Sequence, residues 1–479
     1  MGAAQRLSAC ATARITLGYR DPVRGTTIKA TATVLGALAA LTAGPARANG
    51  RIPAANRIVF SPTNPNLVIT RATYGILPSY DDGRTWTFLC EDALGLPQMA
   101  TEDPAMGLTE QNALVVGLQM PAGLEVSRDG GCNWTCAAGS LANESIVDIA
   151  VRPDAPDTVV ALTNTPLPAD AGGGTYSQVF RSTDDGASWA PIGTPLDPSV
   201  IATTIDVAPS DAHRLYVSAT RGFGPTRTAS LFASTDDGAT WTEWPAPLDP
   251  ATETSIYIGA VDPLDADRVY LRTNGASRLF MTVPSDGGPS FQTVLTLTGE
   301  MLGFALSPDG SKIYAGSEMD GLFVGARSSM TFLHQRSIVL GTEGGASDVH
   351  VQCLAARAGE LWACADEPSG FIVGMSEDDG ATFSPKLHLD GVGAPIACAS
   401  GAPISLACSA SADGSQCKGA PFTNLCAAVG CSPSASQPTR SAACGCGLVG
   451  AGHACGQLAW LGALGIVGLT RRKRSRLPA

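Results

Sequence analysis

The sequence predicts an all-β chain: a single seven-bladed β-propeller of four-stranded antiparallel blades, with a C-terminal Cys-rich segment and a transmembrane helix. Three observations predict it. One short motif recurs along most of the chain. Each copy is preceded by runs of alternating apolar and polar residues separated by turn-forming clusters. The 479 residues include 54 Gly and 33 Pro, a composition of many turns.

The motif reads Ser-x-Asp-x-Gly-x-x-Trp/Phe. It occurs at 79–86 (Asp81, Gly83, Trp86), 127–134 (Asp129, Gly131, Trp134), 182–189 (Asp184, Gly186, Trp189), 234–241 (Asp236, Gly238, Trp241) and 376–383 (Asp378, Gly380, Phe383). A weaker copy at 284–291 (Asp286, Gly288, Phe291) has Pro284 in place of Ser. The aspartates lie 48, 55, 52, 50 and 92 residues apart. The last interval is two periods, and 306–332 holds the strands of the missing unit with Arg327 where the Asp would stand. Seven units result, and self-similarity at this period is the mark of a repeat architecture.

Within a unit, segments such as 57–73, 145–163 and 203–220 read as two strands joined by a Pro, Asn or Asp turn. A third strand leads into the motif (SLFASTDDG) and its aromatic opens a fourth (ATWTEWP). Four antiparallel strands per unit is one propeller blade. Inside the motif the Gly is expected at positive φ. The Asp is expected to accept backbone N–H bonds across the turn, and the aromatic to bury between strands.

The motif resembles the Asp-box (BNR) repeat of sialidases, sortilin-type receptors and xyloglucanase-like propellers. The resemblance implies a propeller whose boxes lie on the blade periphery, away from the central channel, so each box Asp is expected to be structural. A sialidase would also need an arginine triad, an acid Asp and a Tyr/Glu pair. Its Phe/Tyr-Arg-Ile-Pro motif has a partial counterpart in Gly50-Arg51-Ile52-Pro53, which lacks the aromatic. A xyloglucanase-like hydrolase would need two carboxylates facing one cleft. Glu102-Asp103-Pro104 and Asp366-Glu367-Pro368 sit in loops, but nothing in their pattern selects them. No Ser-His-Asp spacing, phosphate-binding Gly loop or metal-ligand helix motif is present, so the sequence names no catalytic residue, metal or cofactor.

Both ends read as targeting signals. Residues 31–44 are apolar, with Arg20, Arg24 and Lys29 before them and Ala46-Arg47-Ala48 after them. That is the pattern of a secretory signal cut after Ala48; a buried helix would not need the Ala-x-Ala site. Residues 447–470 carry no formal charge and end at Arg471-Arg472-Lys473-Arg474, which reads as a membrane span with its basic end in the cytoplasm. Cys444-Gly445-Cys446, the apolar helix and the Arg cluster together resemble the MYXO-CTERM sorting tails of myxobacteria. That resemblance implies processing near Cys444 or Cys446 and display on the cell surface.

The expected organisation is therefore a signal peptide (1–48), the propeller (49–391), a Cys-rich segment (392–431), a Ser/Pro/Ala stalk with the Cys-Gly-Cys motif (432–446), a transmembrane helix (447–470) and a basic tail (471–479). Export permits disulfides among the 14 cysteines. Cys353 and Cys364 fall on adjacent strands and suit a cross-hairpin bridge, and Cys90 with Cys132 is a second candidate pair, although spacing alone leaves connectivity open. Between the two terminal segments 42 acidic residues face 20 basic ones. This excess disfavours nucleic acid as a partner.

The first functional reading is a non-enzymatic surface module that binds glycan or protein on the propeller face, with sorting machinery at its tail. A secreted glycoside hydrolase and a purely structural or adhesive element are the alternatives. N-terminal sequencing of the exported protein is expected to begin at Asn49; a start inside 1–48 would remove the signal assignment.

Overall fold

The computed structural model describes residues 54–94, 103–119, 122–275 and 277–399. The expected signal peptide, the Gly50–Pro53 tetrapeptide, the stalk, Cys444, Cys446 and the 447–470 span lie outside them. Among the described residues no helix is long and apolar enough to cross a membrane.

The described residues form seven sheets, each with four antiparallel strands of its own; in two of them a short fifth strand, Ile338–Val339 or Val392–Pro395, pairs in parallel with the outermost. The innermost strands are Ala55–Phe60, Ala105–Leu108, Ile146–Val151, Val200–Val207, Glu253–Val261, Met301–Leu306 and Cys353–Arg357. Each touches the next, and the last returns to the first, so the sheets stand as blades 1–7 around a central channel. The second strand of each blade is the most apolar because it is covered on both faces by the neighbouring blades. Val159–Thr163 is buried at every position, and Leu215–Arg221 at all but its last. Such two-sided burial selects near-continuous apolar runs. The outer strands of blades 2–6 are the most solvated, and Thr242–Ala246 and Ser290–Thr296 contain no fully buried residue. The antiparallel order puts two sets of turns on one face of the ring: those between inner and second strands, and those between third and outer strands. The remaining connections lie on the other face, called here the loop face.

The recurrent motif forms the turn between third and outer strands, and its hydrogen bonds repeat from blade to blade. In blade 1 the Ser79 hydroxyl donates to Asp81 (2.9 Å) and accepts from Gly83 N–H (2.8 Å). Asp81 accepts from the Thr85 N–H (2.8 Å) and hydroxyl (2.7 Å). The corresponding Ser–Asp and Gly–Ser bonds recur around Asp129, Asp184, Asp236 and Asp378. For Asp236, bonds from the Thr240 side chain and backbone and from Ser234 hold the carboxyl below its ordinary range.

Two consecutive residues of each turn have positive φ. Asp82 (63°) precedes Gly83 (73°), and Asp237 (63°) precedes Gly238 (86°). A hairpin turn of this mirror type needs exactly such a pair of left-handed residues, which Asp tolerates and Gly prefers. The second Asp has a further contact. Asp82 pairs with Arg357 of blade 7, Asp237 with Arg181 of blade 3 (2.6 Å), and Asp379 with Lys312 of blade 6. The Gly sits equally close to the preceding blade: a Cβ on Gly238 would lie 2.6 Å from Ile192 Cδ1. The box thus rivets each blade to the one before it.

Blades 5 and 6 depart from the pattern. Without a hydroxyl at Pro284, the turn of blade 5 is held by Ser285 and Gly288, and the exposed Asp286 makes no side-chain hydrogen bond among the described residues. In blade 6, Arg327 donates to the buried Asp262 of blade 5 (2.6 Å). The inter-blade link survives there with its charges exchanged.

The ring closes without exchanging strands between blades 1 and 7. Instead the chain leaves blade 7, and Val392–Pro395 pairs in parallel with the outer strand of blade 1, Trp86–Cys90. Ile396 N–H then bonds Phe88 O (3.0 Å), and Cys398 forms a disulfide with Cys132 in the box of blade 2, with Cα atoms 5.5 Å apart. This corrects the Cys90–Cys132 pairing. Closure of the ring brings residue 398 back beside the second repeat, and Cys90 is buried inside blade 1 in a different disulfide. Cys353 and Cys364 are joined across directly paired positions of blade 7. The closing strand also lies beyond residue 391, where the sequence placed the end of the propeller.

Replacing Asp81 with Ala is expected to lower the unfolding free energy by about 1 kcal/mol, through the lost turn bonds. Gly238→Ala should cost about 2 kcal/mol, from positive φ and crowding against Ile192. Asp286→Ala should stay within about 0.5 kcal/mol of the parent. Urea unfolding of the three variants reads this order, and an equal loss at Asp286 would refute it.

Candidate functional site

The inner strands carry charge into the channel. Arg57 of blade 1 reaches Asp148 of blade 3 (3.7 Å). Because blade 2 separates them in the ring, the pair spans part of the channel. Asp148 also accepts N–H bonds from Ile149 (2.9 Å) and from Ile205 of blade 4 (3.0 Å). Asp206 repeats this arrangement one blade on, accepting from Val207 (2.8 Å) and from Val261 of blade 5 (3.2 Å). Between them Thr204 accepts from Ile258 N–H (2.8 Å). Side chains of blades 3 and 4 thus clip the inner strand of the following blade.

These carboxyls are the most perturbed in the channel. Burial pushes Asp206 up to about 6; its backbone donors and Arg57 oppose that, and the neighbouring Asp148 adds to it. Burial likewise raises Asp148, against Arg57, its two N–H donors and Arg71. A close pair of raised carboxyls is what acid–base catalysis uses. Here, however, each carboxylate already accepts two backbone N–H bonds.

The arginines are engaged in the same way. Arg71 donates to Asn56 Oδ1 (2.7 Å) and to the carbonyls of Asp103 (3.0 Å) and Pro104. Arg272 lies over the Tyr257 ring (4.8 Å) and donates to the Met301 carbonyl (2.8 Å). The sialidase reading needed three arginines converging on one ligand carboxylate. Arg57, Arg71 and Arg272 are each committed to a different partner.

The loop residues noted in the sequence are placed separately. Glu102 lies outside the described residues. Asp366 caps a short 3-10 turn through Ser369 and pairs with His350 (2.9 Å). Glu367 accepts from the Leu389 N–H and pairs with His388 (3.2 Å). A cleft of about 470 Å³ between blades 2 and 3 is lined by Glu110, Gln111, Arg128, Asp157, Asp184 and Asp185. It opens on the box face, away from the channel carboxylates. Among the described residues no group of three or more His, Cys, Asp or Glu is arranged to hold a metal ion.

The loop face varies most. In blade 3 the connection between second and third strands carries its own ribbon, Thr165–Pro166 against Thr175–Tyr176. In blade 4 the corresponding loop presents Phe223, 75% exposed. Sequence reading missed both the Asp148–Asp206 clips and Phe223. The only available signal was an Asp inside each of two otherwise apolar strands (VDIAV and IDVAP).

A family model described as Sortilin-Vps10 (sortilin, neurotensin receptor 3) matches residues 123–249, from the third strand of blade 2 to just past blade 4. No curated protein matches the chain. Among solved structures, the chain is similar to a GH74 enzyme from Niastella koreensis at 16% identity and TM-score 0.30. That alignment covers 69% of this chain and 65% of the enzyme, so this chain spans just under two thirds of its length. It is also similar to YCF48 from Cyanidioschyzon merolae (14% identity, TM-score 0.44, 67% of this chain and 94% of that one). Sqt1 from Saccharomyces cerevisiae is a third (12% identity, TM-score 0.45, 70% and 85%). At such identities no residue role passes from them to this chain.

The raised Asp206 carboxyl sets a pH dependence. A carboxyl with a higher pKa in the folded than in the unfolded chain favours the fold when protonated. That contribution is complete below 3.8 and is lost as pH rises through about 6. Asp206→Asn removes the dependence. Between about pH 4 and about pH 8, its stability relative to the parent should rise by about 3 kcal/mol. Urea unfolding at both pH values tests this, and a constant difference would refute it.

Proposed function

We propose that this propeller is an exported, non-enzymatic binding module that holds a protein or glycan ligand on its loop face. One observation carries the reading: Asp148, Asp206, Arg57, Arg71 and Arg272, the charged groups in and beside the channel best suited to chemistry, are spent on contacts with other blades. A general acid or base must reach a substrate proton, and a carboxylate holding two backbone N–H groups of adjacent inner strands would loosen the ring if it let them go. The blade 3 ribbon and the exposed Phe223 supply a surface that varies between blades, as recognition requires, on a scaffold that does not.

The secretory-signal pattern of 1–48 and the Cys-Gly-Cys motif of the tail support display at the cell surface, and the resemblance of the repeat to Asp-boxes supports a sialidase-like or sortilin-like scaffold. Glycoside hydrolysis of sialidase-like or xyloglucanase-like type is the second reading, favoured by the raised Asp148–Asp206 pair alone.

The two readings separate experimentally. The full chain, Asp148→Asn and Asp206→Asn are assayed on a panel of fluorogenic glycosides, while the full chain and Phe223→Ala are compared on glycan and peptide arrays. The expected outcome is no turnover by any form and at least about tenfold weaker array binding by Phe223→Ala. Turnover by the parent that disappears in Asp148→Asn would establish the hydrolase instead.

A further inference from the structure

The seam between blades 7 and 1 differs from every other. Elsewhere the chain itself runs from one blade's outer strand to the next blade's inner strand. At this seam the contacts between the blades are noncovalent. Arg357 pairs with Asp82 and donates to the Pro65 carbonyl (2.8 Å). Trp86 Nε1 donates to the Lys386 carbonyl (2.8 Å). Phe60 meets Trp362 edge-on, ring centroids 5.7 Å apart. The segment 388–398 is what crosses the seam. Its root is held in blade 7 by Glu367, through His388 and the Leu389 N–H. Its middle adds to blade 1 through two register pairs, Val392 with Trp86 and Pro395 with Phe88, with an irregularity between them. Its end is bonded to blade 2 through Cys132–Cys398.

We propose that this strap is a thiol-sensitive clasp: the Cys132–Cys398 disulfide keeps the ring closed across the 7–1 seam, and its reduction frees the strap from blade 1. The strap's hold on blade 1 is short: two register pairs, the Ile396 N–H bond to Phe88 O, and the buried side chains of Val392 and Ile396, with a proline that offers no donor, so the disulfide adds a covalent link to few contacts. The disulfide closes a separation of 266 residues, and cross-links over long separations restrict the open chain most. Both cysteines of the clasp are only half-buried, whereas Cys353 and Cys364 are buried at 6% and 0% exposure. Thiol exchange requires access of the attacking thiolate to a sulfur, so the clasp is more reachable than Cys353–Cys364. In the reaction a dithiol reductant supplies two electrons and two protons. The Cys132–Cys398 bond breaks to two thiols, and the reductant is converted to its own disulfide.

The test uses the full chain. Graded dithiol treatment with differential alkylation is followed by peptide mass spectrometry, alongside hydrogen exchange of the parent, Cys132→Ser/Cys398→Ser and Cys353→Ser/Cys364→Ser. The clasp is expected to reduce before Cys353–Cys364. In reduced parent and in Cys132→Ser/Cys398→Ser, amides of 86–90 and 392–396 should exchange at least about tenfold faster, while those of the other outer strands hold. The Cys353→Ser/Cys364→Ser variant should leave strap exchange as in the parent. Two results would overturn the proposal: reduction of Cys353–Cys364 first, or unchanged exchange at 392–396 once Cys132–Cys398 is open. The alkylation and exchange data on reduced parent decide the matter even where a Ser variant fails to fold.

Discussion

A hydroxyl, a carboxylate and a missing side chain at one turn hold this molecule in register. The Ser of each of the five full boxes anchors both the Asp and the Gly N–H, and the Asp pins the backbone four residues on. This leaves the Gly backbone, without a Cβ, free to press on the preceding blade. Cross-blade pairs such as Arg181–Asp237 then fix the angle at which one sheet meets the next. A blade buries apolar area on both faces of its middle strands, so stability depends on every neighbour being present. A turn that couples neighbours therefore matters more than its few hydrogen bonds suggest.

The number of blades, their strand order and the place of the boxes were legible because they rest on local, repeated chemistry: alternation, turn residues, and one motif at a steady period. The left-handed residue just before the box Gly was also written in the sequence, as Asp82, Gly130, Asp185, Asp237 and Asp379, but its contact with the neighbouring blade was not. What stayed hidden was nonlocal. Val392–Pro395 carries Gly and Pro and has no strand signature; it becomes a strand because ring closure delivers it to the free edge of blade 1. The same closure puts Cys398 beside Cys132, a pairing that no comparison of adjacent repeats could find. Asp148 and Asp206 were two among 42 acids, and only the ring makes them partners of Ile205 and Val261.

The channel illustrates how a repeat fold limits its own chemistry. A carboxylate near the axis is close to several inner strands at once, so its cheapest companions are the backbone donors of the next blade. Raised pKa values then follow from burial with no demand from a substrate, and a perturbed carboxyl pair here is weaker evidence of catalysis than it would be in an open cleft. The loop face is free of that constraint, and there the blades cease to resemble one another, with a ribbon in blade 3 and a protruding Phe223 in blade 4.

The disulfide between Cys132 and Cys398 also redraws the path of mechanical load. Residues 133–397 lie inside a covalent loop, so tension applied beyond residue 398 passes straight to the second blade and does not reach the five that follow it. Whatever tugs on that end of the chain pulls against a sulfur–sulfur bond, and the sheets within the loop can neither be unravelled in sequence nor drawn out like thread from a spool.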